Sequence, residues 1–256
     1  MHSELAGTFA HPGVADAYRH RPPYPDEVFT ILDDLITDHP RTVLDLGAGE
    51  GALARPLAAR VEHVDAVDVS AAMVAAGRQR PGGTRANLRW IVGAVETCPL
   101  AGPYALVTAG ASLHWMATGP VLARLGGVLS EHGVLAVVEH GPRDVPWGDR
   151  LTEVIARHSR NPDFDPGYRV ADELGLTGRA ETAPVRFRQP VGDYVEQFHS
   201  TASLARELMP AAEAAAFDRA VEDVVRPWAV DGVLEMWIVA TLAWGRLARP
   251  ELVKRA

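Results

Sequence analysis

The sequence contains a single cysteine, Cys98, and a single lysine, Lys254, in 256 residues. One cysteine excludes an internal disulfide and a cysteine-built metal cluster. The basic residues are therefore almost all arginines, they form no run, and the formal net charge is −8. Nucleic-acid binding would need clustered positive charge, so neither that function nor attachment to an anionic membrane surface is expected.

Long apolar runs are also missing. No stretch approaches the roughly 20 apolar residues of a membrane span. The first residues lack the cationic segment and apolar core of a secretory signal. The hydrophobic fraction of 47% and the charged fraction of 23% are ordinary for a globular protein. We therefore expect a cytoplasmic protein with no membrane partner.

Short apolar runs alternate with amphipathic stretches between residues 41 and 140. The runs typical of strands are 42–46, 64–68, 88–92, 104–108 and 133–139, and the helical stretches between them are 51–60, 71–79 and 118–130. Strands separated by helices predict right-handed crossovers and a parallel sheet. Apolar runs without strict alternation predict strands that are covered on both faces.

The pattern changes after Pro142. Two further strands are predicted at 185–188 and 233–241, and prolines predict an irregular stretch over 141–167. Helices are predicted at about 191–208 and 211–225. The whole predicts one α/β domain over 1–256, Rossmann-like, with a seven-stranded, mostly parallel sheet and helices on both faces. A lid segment (1–40) precedes the core (41–140), and the C-terminal half (141–256) carries a helical cap at about 190–227.

The glycines at 47, 49 and 51 follow the first predicted strand directly, in Val43–Gly51. Glycine allows a tight turn and close approach of a ligand, although glycines can also form a strand–helix turn without binding anything. Nicotinamide-binding loops have the spacing G-x-G-x-x-G, whereas this loop is one residue shorter. Asp45 would repel a pyrophosphate but suits a cationic amino acid.

A second acidic residue, Asp68, ends the second predicted strand about 20 residues beyond the loop. Acids at this position accept hydrogen bonds from ribose hydroxyls. The alternative is that Asp68 caps the following helix, where Asp and Ser are both favoured. Because Ser70 suits the cap better, we assign Asp68 to a ribose.

Taken together, these motifs resemble class I S-adenosylmethionine-dependent methyltransferases of the group called type 11 or trans-aconitate-methyltransferase-like. The resemblance covers about residues 9–140. The stretches that carry it are Tyr18–Pro25, Val43–Gly51, Val67–Met73, Gly93–Leu100 and Ser112–Trp115. It implies methyl transfer, with the last hairpin strand antiparallel to the others. The lid and the cap should cover the site.

The resemblance also implies which residues bind S-adenosylmethionine. These are Tyr18, Arg21, Asp45, Gly47, Ala48, Gly49, Asp68, Val69, Met73, Ala94, Val95 and Ala109. Ala94 stands where the family usually has an Asp that binds the adenine amino group. The backbone at 94–95 is left to bind the edge of the ring.

The acceptor should lie outside the carboxyl ends of the fourth and fifth strands. We predict His114 as the catalytic base or orienting group, with the alternative that it anchors a loop. Tyr24, Trp115, His140 and His199 are predicted substrate contacts; a core position for Trp115, a loop role for His140 and a surface position for His199 are their alternatives.

The sequence thus predicts methyl transfer to a small molecule, with a role in secondary metabolism expected. Whether the methylated atom is oxygen, nitrogen, carbon or a carboxylate is open. Methyl transfer requires no metal, and we assign no metal ligand. The alternatives are a protein that uses S-adenosylmethionine structurally or in a non-methylating reaction, a nicotinamide oxidoreductase and a non-enzymatic binding domain.

Overall fold

The computed structural model describes residues 8, 11–162, 164–165 and 170–247. The parts of the predicted lid at 1–7 and 9–10, and of the C-terminal half at 163, 166–169 and 248–256, lie outside the described residues. No described helix is both long enough and apolar enough to cross a membrane.

The centre of the fold is one mixed sheet. Its strands are β1 (Thr42–Leu46), β2 (His63–Asp68), β3 (Leu88–Val92), β4 (Tyr104–Gly110), β5 (Leu129–Pro142), β6 (Gly178–Glu181), β7 (Val185–Pro190) and β8 (Val233–Gly245). Their order is β3-β2-β1-β4-β5-β8-β6, and β7 also pairs with β8. β1 to β5 are parallel, whereas β8 runs antiparallel to β5, β6 and β7. The predicted fold class and the antiparallel last strand are confirmed.

The helices cover both faces of this sheet. They are α1 (Pro12–Tyr18), α2 (Asp26–Asp34), α3 (Ala54–Leu57), α4 (Ala71–Gln79), α5 (Thr118–Val128), α6 (Gly148–His158), α7 (Val170–Glu173), α8 (Val191–Glu196) and α9 (Ala211–Val225). Neighbouring residues of β1 point to opposite sides, so Val43 packs with α2 and α3 while Leu44 packs with α5. A third apolar cluster joins α6, α8 and α9 to β8 and forms the cap.

Four local predictions were wrong. The helix expected at 51–60 is only α3, because Gly51 has a φ of +78° and cannot be helical. The stretch 141–167 contains α6, whose flanking prolines mark its ends rather than a loop. The helix expected at 191–208 stops at Glu196 and continues as short 3₁₀ turns, since Thr201 is extended. The sheet has eight strands, because β6 carries no apolar run.

The position of the site follows from this strand order. β1 lies between β2 and β4: the chain runs outward from β1 through β2 to β3, and then crosses back to continue as β4 and β5 on the other side of β1. Ligands bind outside the carboxyl ends of the strands at such a switch point. α1 lies near the same edge, packed between α4 and the 3₁₀ turn Gln197–Ser200 of the cap.

Candidate functional site

The glycine loop begins directly after β1. Gly47, Gly49 and Gly51 have φ angles of +60°, +56° and +78°, a region that other residues rarely adopt. A Cβ on Gly47 would also lie 2.7 Å from Cβ of Ser112. Ala48 N–H donates to the Val67 carbonyl at 2.9 Å, which ties the loop to β2. The loop is thus held at the switch point with its backbone tightly enclosed.

Asp68, at the end of β2, is buried and already has two partners. Its carboxylate accepts the backbone N–H of Gly49 and that of Ser70, each at 2.7 Å. Burial raises its pKa, against the effect of these two bonds. Ser70 caps α4 as expected, accepting the Met73 N–H at 3.2 Å. Each carboxylate oxygen can accept a further hydrogen bond, so Asp68 can bind a ribose while it holds the loop.

Asp45 lies inside β1 and faces the loop. Thr108 Oγ1 donates to its carboxylate at 2.8 Å. Burial raises the pKa of Asp45 to about 7, against the effect of hydrogen bonds from Thr108 and the Ala54 backbone. A carboxylate in this position loses hydration, and no described residue forms an ion pair with it, so a cationic ligand would be its natural partner.

A cavity of about 420 Å³ opens between the lid segment, the loop and the ends of β4 and β5. Eight of the predicted site residues line it: Tyr18, Arg21, Tyr24, Asp45, Gly47, Ala48, Gly49 and His140. The structure therefore brings together residues up to more than a hundred positions apart in the sequence.

The other predicted cofactor residues are not among the described residues that line this cavity. Val69 is about half exposed beyond β2, and Met73 packs against Gly49. Val95 is buried, and its carbonyl accepts a hydrogen bond from Arg124. Ala94 precedes Val95 at the end of β3, and Ala109 is buried in β4. Asp68 and Met73 both contact the loop at Gly49, and cofactor binding by the other residues stays a prediction.

Two lid residues are fixed by contacts within the protein. Arg21 donates from Nε to the Ser200 hydroxyl at 2.7 Å, and its guanidinium lies 4.3 Å from the centre of the Tyr18 ring. The structure thus shows Arg21 joining the lid to the cap, a contact that the sequence did not predict. Its predicted contact with the cofactor stays a prediction.

His140 follows the core of β5 and reaches the cavity. Its Nε2 donates to the Pro22 carbonyl at 2.8 Å, and its ring centre lies 3.9 Å from that of Tyr24. Burial lowers the pKa of His140 to about 4 and raises that of the Tyr24 hydroxyl. Both side chains are therefore neutral near pH 7.

The structure places the predicted base, His114, elsewhere. It lies in the 3₁₀ turn Leu113–Trp115, with its ring centre 4.8 Å from that of Trp115. Among the described residues, those lining the cavity do not include His114 or Trp115. The catalytic role of His114 and the substrate contact of Trp115 stay predictions. Their position outside the cavity lining does not favour either role.

His199 lies inside the cap and not on its surface. It is 2% exposed, and its two ring nitrogens contact the Leu204 carbonyl and the Asp218 carboxylate, both at 2.7 Å. Arg206 binds Asp218 and Glu196 in the same network. With both nitrogens occupied, His199 is placed to stabilise the cap, and its predicted substrate contact gains no support.

Some cavity residues escaped the sequence analysis. Gly110 ends β4 and Ala111 follows it, with a φ of +48° that no motif signalled. Arg55 and Arg80 line the outer part, where both contact Glu50. Gly110 lies just beyond the fourth predicted strand, and that position could have identified it. Nothing in the sequence distinguishes Arg55 and Arg80 from surface arginines. No group of three potential metal ligands occurs among the described residues.

The residues fit S-adenosylmethionine. The buried carboxylate of Asp45 lines the cavity and forms no ion pair within the part of the chain that the structure describes, as an ammonium group would require. A second carboxylate, Asp68, lies beside the loop at the distance in sequence typical of ribose binding. The loop at Gly47 leaves no room for a side chain.

Comparisons with known proteins agree with this geometry. Residues 43–133 match a family model described as a methyltransferase domain. An uncharacterized methyltransferase of Mycobacterium tuberculosis strain H37Rv is 37% identical over 110 residues, which are 42% of this chain and 55% of the relative. A Mycobacterium bovis methyltransferase matches to the same extent. The chain thus spans about half the length of the curated relatives it matches.

Solved structures extend the likeness to nearly the whole chain. A proposed type II methyltransferase of Anaeromyxobacter dehalogenans is 22% identical, with a TM-score of 0.60 over 90% of this chain and 99% of that one. A Geobacter sulfurreducens S-adenosylmethionine-dependent methyltransferase, solved with S-adenosylhomocysteine, is 18% identical, with a TM-score of 0.51 over 90% and 95%. The fold is the Rossmann-like class I methyltransferase fold.

Proposed function

We propose that this chain, which carries a methyltransferase domain on the class I fold, transfers a methyl group from S-adenosylmethionine to a small molecule. The observation that carries the proposal is Asp45, a buried carboxylate that faces the cavity beside the glycine loop. An ammonium group there would favour the ionised carboxylate that burial disfavours. A pyrophosphate cofactor would instead place negative charge beside this carboxylate.

Within this proposal, Asp45 holds the ammonium group, Asp68 the ribose and the loop backbone the rest of the amino-acid part. Tyr18 and Arg21 close the lid over it, and the backbone at 94–95 faces the adenine. S-adenosylmethionine supplies an electrophilic methyl group on a sulfonium. The protein holds the acceptor in line with the methyl group and the sulfur, which can lower the activation barrier by up to ~7–11 kcal/mol. It also excludes water from the site.

The size of the site favours a small acceptor. The cavity measures about 420 Å³ and is bounded by the lid segment, so a macromolecular acceptor would need the lid displaced. The net charge of −8 also disfavours a nucleic acid. The type 11 group, a cytoplasmic location and a place in secondary metabolism belong to the same proposal.

A labelling experiment tests the function. The protein is incubated with S-adenosylmethionine carrying a deuterated methyl group and a small-metabolite extract, and products are identified by mass spectrometry. We expect a labelled metabolite and equimolar S-adenosylhomocysteine with the wild type, and neither with Asp45→Asn. Asp149→Asn, an exposed position at the start of α6, is the matched control. Cofactor binding without any labelled product would favour a structural or non-methylating use.

A further inference from the structure

One buried nitrogen in the cavity wall has no partner. Nδ1 of His140 is buried and makes no hydrogen bond to any described residue. A buried polar atom without a partner costs about 1–3 kcal/mol, so native proteins rarely leave one unless a ligand or water binds it. Since His140 lines the same cavity as Asp45 and Gly47, the missing partner is expected there.

The other contacts of His140 fix which nitrogen carries the proton. The Pro22 carbonyl can only accept, so Nε2 must hold the hydrogen that it donates at 2.8 Å. The Tyr24 ring, 3.9 Å from the imidazole centre, holds the plane of the ring. Nδ1 therefore presents a lone pair, which can accept a hydrogen bond but cannot donate one.

The surroundings of His140 keep Nδ1 unprotonated. Burial, helped by the positive charge of Arg21, holds the pKa of His140 well below its usual range. Tyr18, Tyr24, Asp45 and Glu139 are the other titratable groups around this part of the cavity. Burial raises the pKa of Tyr24, so its hydroxyl stays protonated.

We propose that Nδ1 of His140 accepts a hydrogen bond from a hydroxyl group of the methyl acceptor and takes its proton during methyl transfer. This role rests on the proposed function and specifies its substrate class. As the oxygen–carbon bond forms, the carbon–sulfur bond breaks and its electron pair stays on sulfur. The hydroxyl proton moves to Nδ1, and Nε2 keeps its hydrogen bond to Pro22.

The charge balance of the cavity explains how a weakly basic imidazole can serve. One positive charge enters with the methyl donor and is lost from sulfur when the methyl group leaves. The proton that reaches Nδ1 restores that charge, so the cavity carries the same net charge before and after the step. A carboxylate acceptor has no proton to give, and its oxygen would face the lone pair of Nδ1. An alcohol or phenol fits this site; a carboxylate does not.

The first test reads the protonation state without measuring turnover. Nitrogen NMR of the ¹⁵N-histidine-labelled protein saturated with S-adenosylhomocysteine distinguishes the two ring nitrogens. We expect His140 to keep a protonated Nε2 and a bare Nδ1 from about pH 8 down to about pH 5, where a free histidine would be charged. A protonated Nδ1 at neutral pH would overturn the proposal.

The second test compares three variants with the acceptor found by labelling. His140→Gln can still donate to Pro22 but lacks the basic nitrogen, whereas His140→Asn loses that contact. His132→Gln, at the other end of β5 beside Asp38, is the control. We expect both His140 variants to lose about 10²–10⁴-fold in kcat. Their Kd for S-adenosylhomocysteine should stay within about twofold of the wild-type value. The His132→Gln control should match the wild type in both kcat and Kd.

Each other outcome counts against a defined statement. Three results would overturn the role of His140 and leave the proposed function standing. They are a wild-type kcat in both folded His140 variants, a loss of S-adenosylhomocysteine binding instead of turnover, and a carboxylate as the methylated group. If the Gln variant does not fold, the Asn variant and the NMR state decide the same question. A wild type that binds S-adenosylhomocysteine but labels no metabolite overturns the proposed function, and the role of His140 with it.

Discussion

The glycine loop and the cap hold their polar side chains in different ways. Around the loop, side chains bind backbone atoms: Asp68 accepts from Gly49, and Ser112 donates to the Leu46 carbonyl at 2.5 Å. In the cap, side chains bind one another, as His199 and Arg206 both bind Asp218. A backbone-built site depends on local conformation, which short motifs encode, whereas the cap depends on which side chains pair with one another, which no short motif encodes.

The largest effect should come from Gly47, the loop glycine that lines the cavity and leaves no room for a Cβ. Gly47→Ala places a Cβ 2.7 Å from Cβ of Ser112 in addition to its unfavourable φ. We expect more than about 100-fold weaker binding of S-adenosylhomocysteine, because the loop must move and one factor of ten is about 1.4 kcal/mol. Calorimetric titration measures this.

The matched control is Gly232→Ala. Gly232 has a similar φ of +73°, but no described heavy atom lies within 4 Å of a Cβ there. It should lose only about 1–2 kcal/mol of stability from backbone strain, with unchanged affinity. Equal effects of the two variants on affinity would show that the close approach at Gly47 has no role.

The second effect concerns Asp68, the carboxylate that we propose binds the ribose. We expect Asp68→Ala to weaken S-adenosylhomocysteine binding by about 1–3 kcal/mol, since it removes charge-assisted bonds to the loop and to the ligand. Asp68→Asn, which keeps one accepting oxygen, should lose less. An unchanged Kd in Asp68→Ala would remove Asp68 from the site.

The third effect is a pH dependence. Since the pKa of Asp45 is raised to about 7, its ionised form is lost as the pH falls through that value. Affinity for the cationic ligand should therefore be full above about pH 8 and weaken up to about tenfold per unit well below pH 7. The Asp45→Asn variant should bind weakly at every pH. A wild-type Kd that is constant between about pH 6 and pH 8 would contradict this.

The smallest effect should be at the contact between lid and cap. Hydrogen exchange across residues 11–25 should slow when S-adenosylhomocysteine binds, as the lid closes over it. Arg21→Ala removes the bonds to Ser200 and Thr201 and should reduce that slowing. Exchange in α5, on the face of the sheet opposite to α2, is the internal control. Identical exchange across 11–25 with and without ligand would reject the lid.

The same contrast explains what the sequence could predict. The bounds predicted for β3, α4 and α9 are those that the structure shows. The spacing of apolar residues and the residues at helix ends, on which those predictions rest, are local features of the sequence. The loop and Asp68 were found by spacing. The burial of His199 and the unpartnered nitrogen of His140 depend on residues from the cap and the lid, so no pattern could have shown them. The prolines near α6 led to the prediction of an irregular stretch, because proline occurs at helix ends as readily as in loops.

Calorimetric titration of the wild-type protein with S-adenosylhomocysteine, and separately with NADH, tests the central claim most directly. The glycine loop and Asp45 predict one site per chain for S-adenosylhomocysteine and no binding of NADH, whose pyrophosphate Asp45 would repel. Binding of NADH, or no heat with S-adenosylhomocysteine at about pH 8 to 8.5, where Asp45 is ionised, would contradict the account.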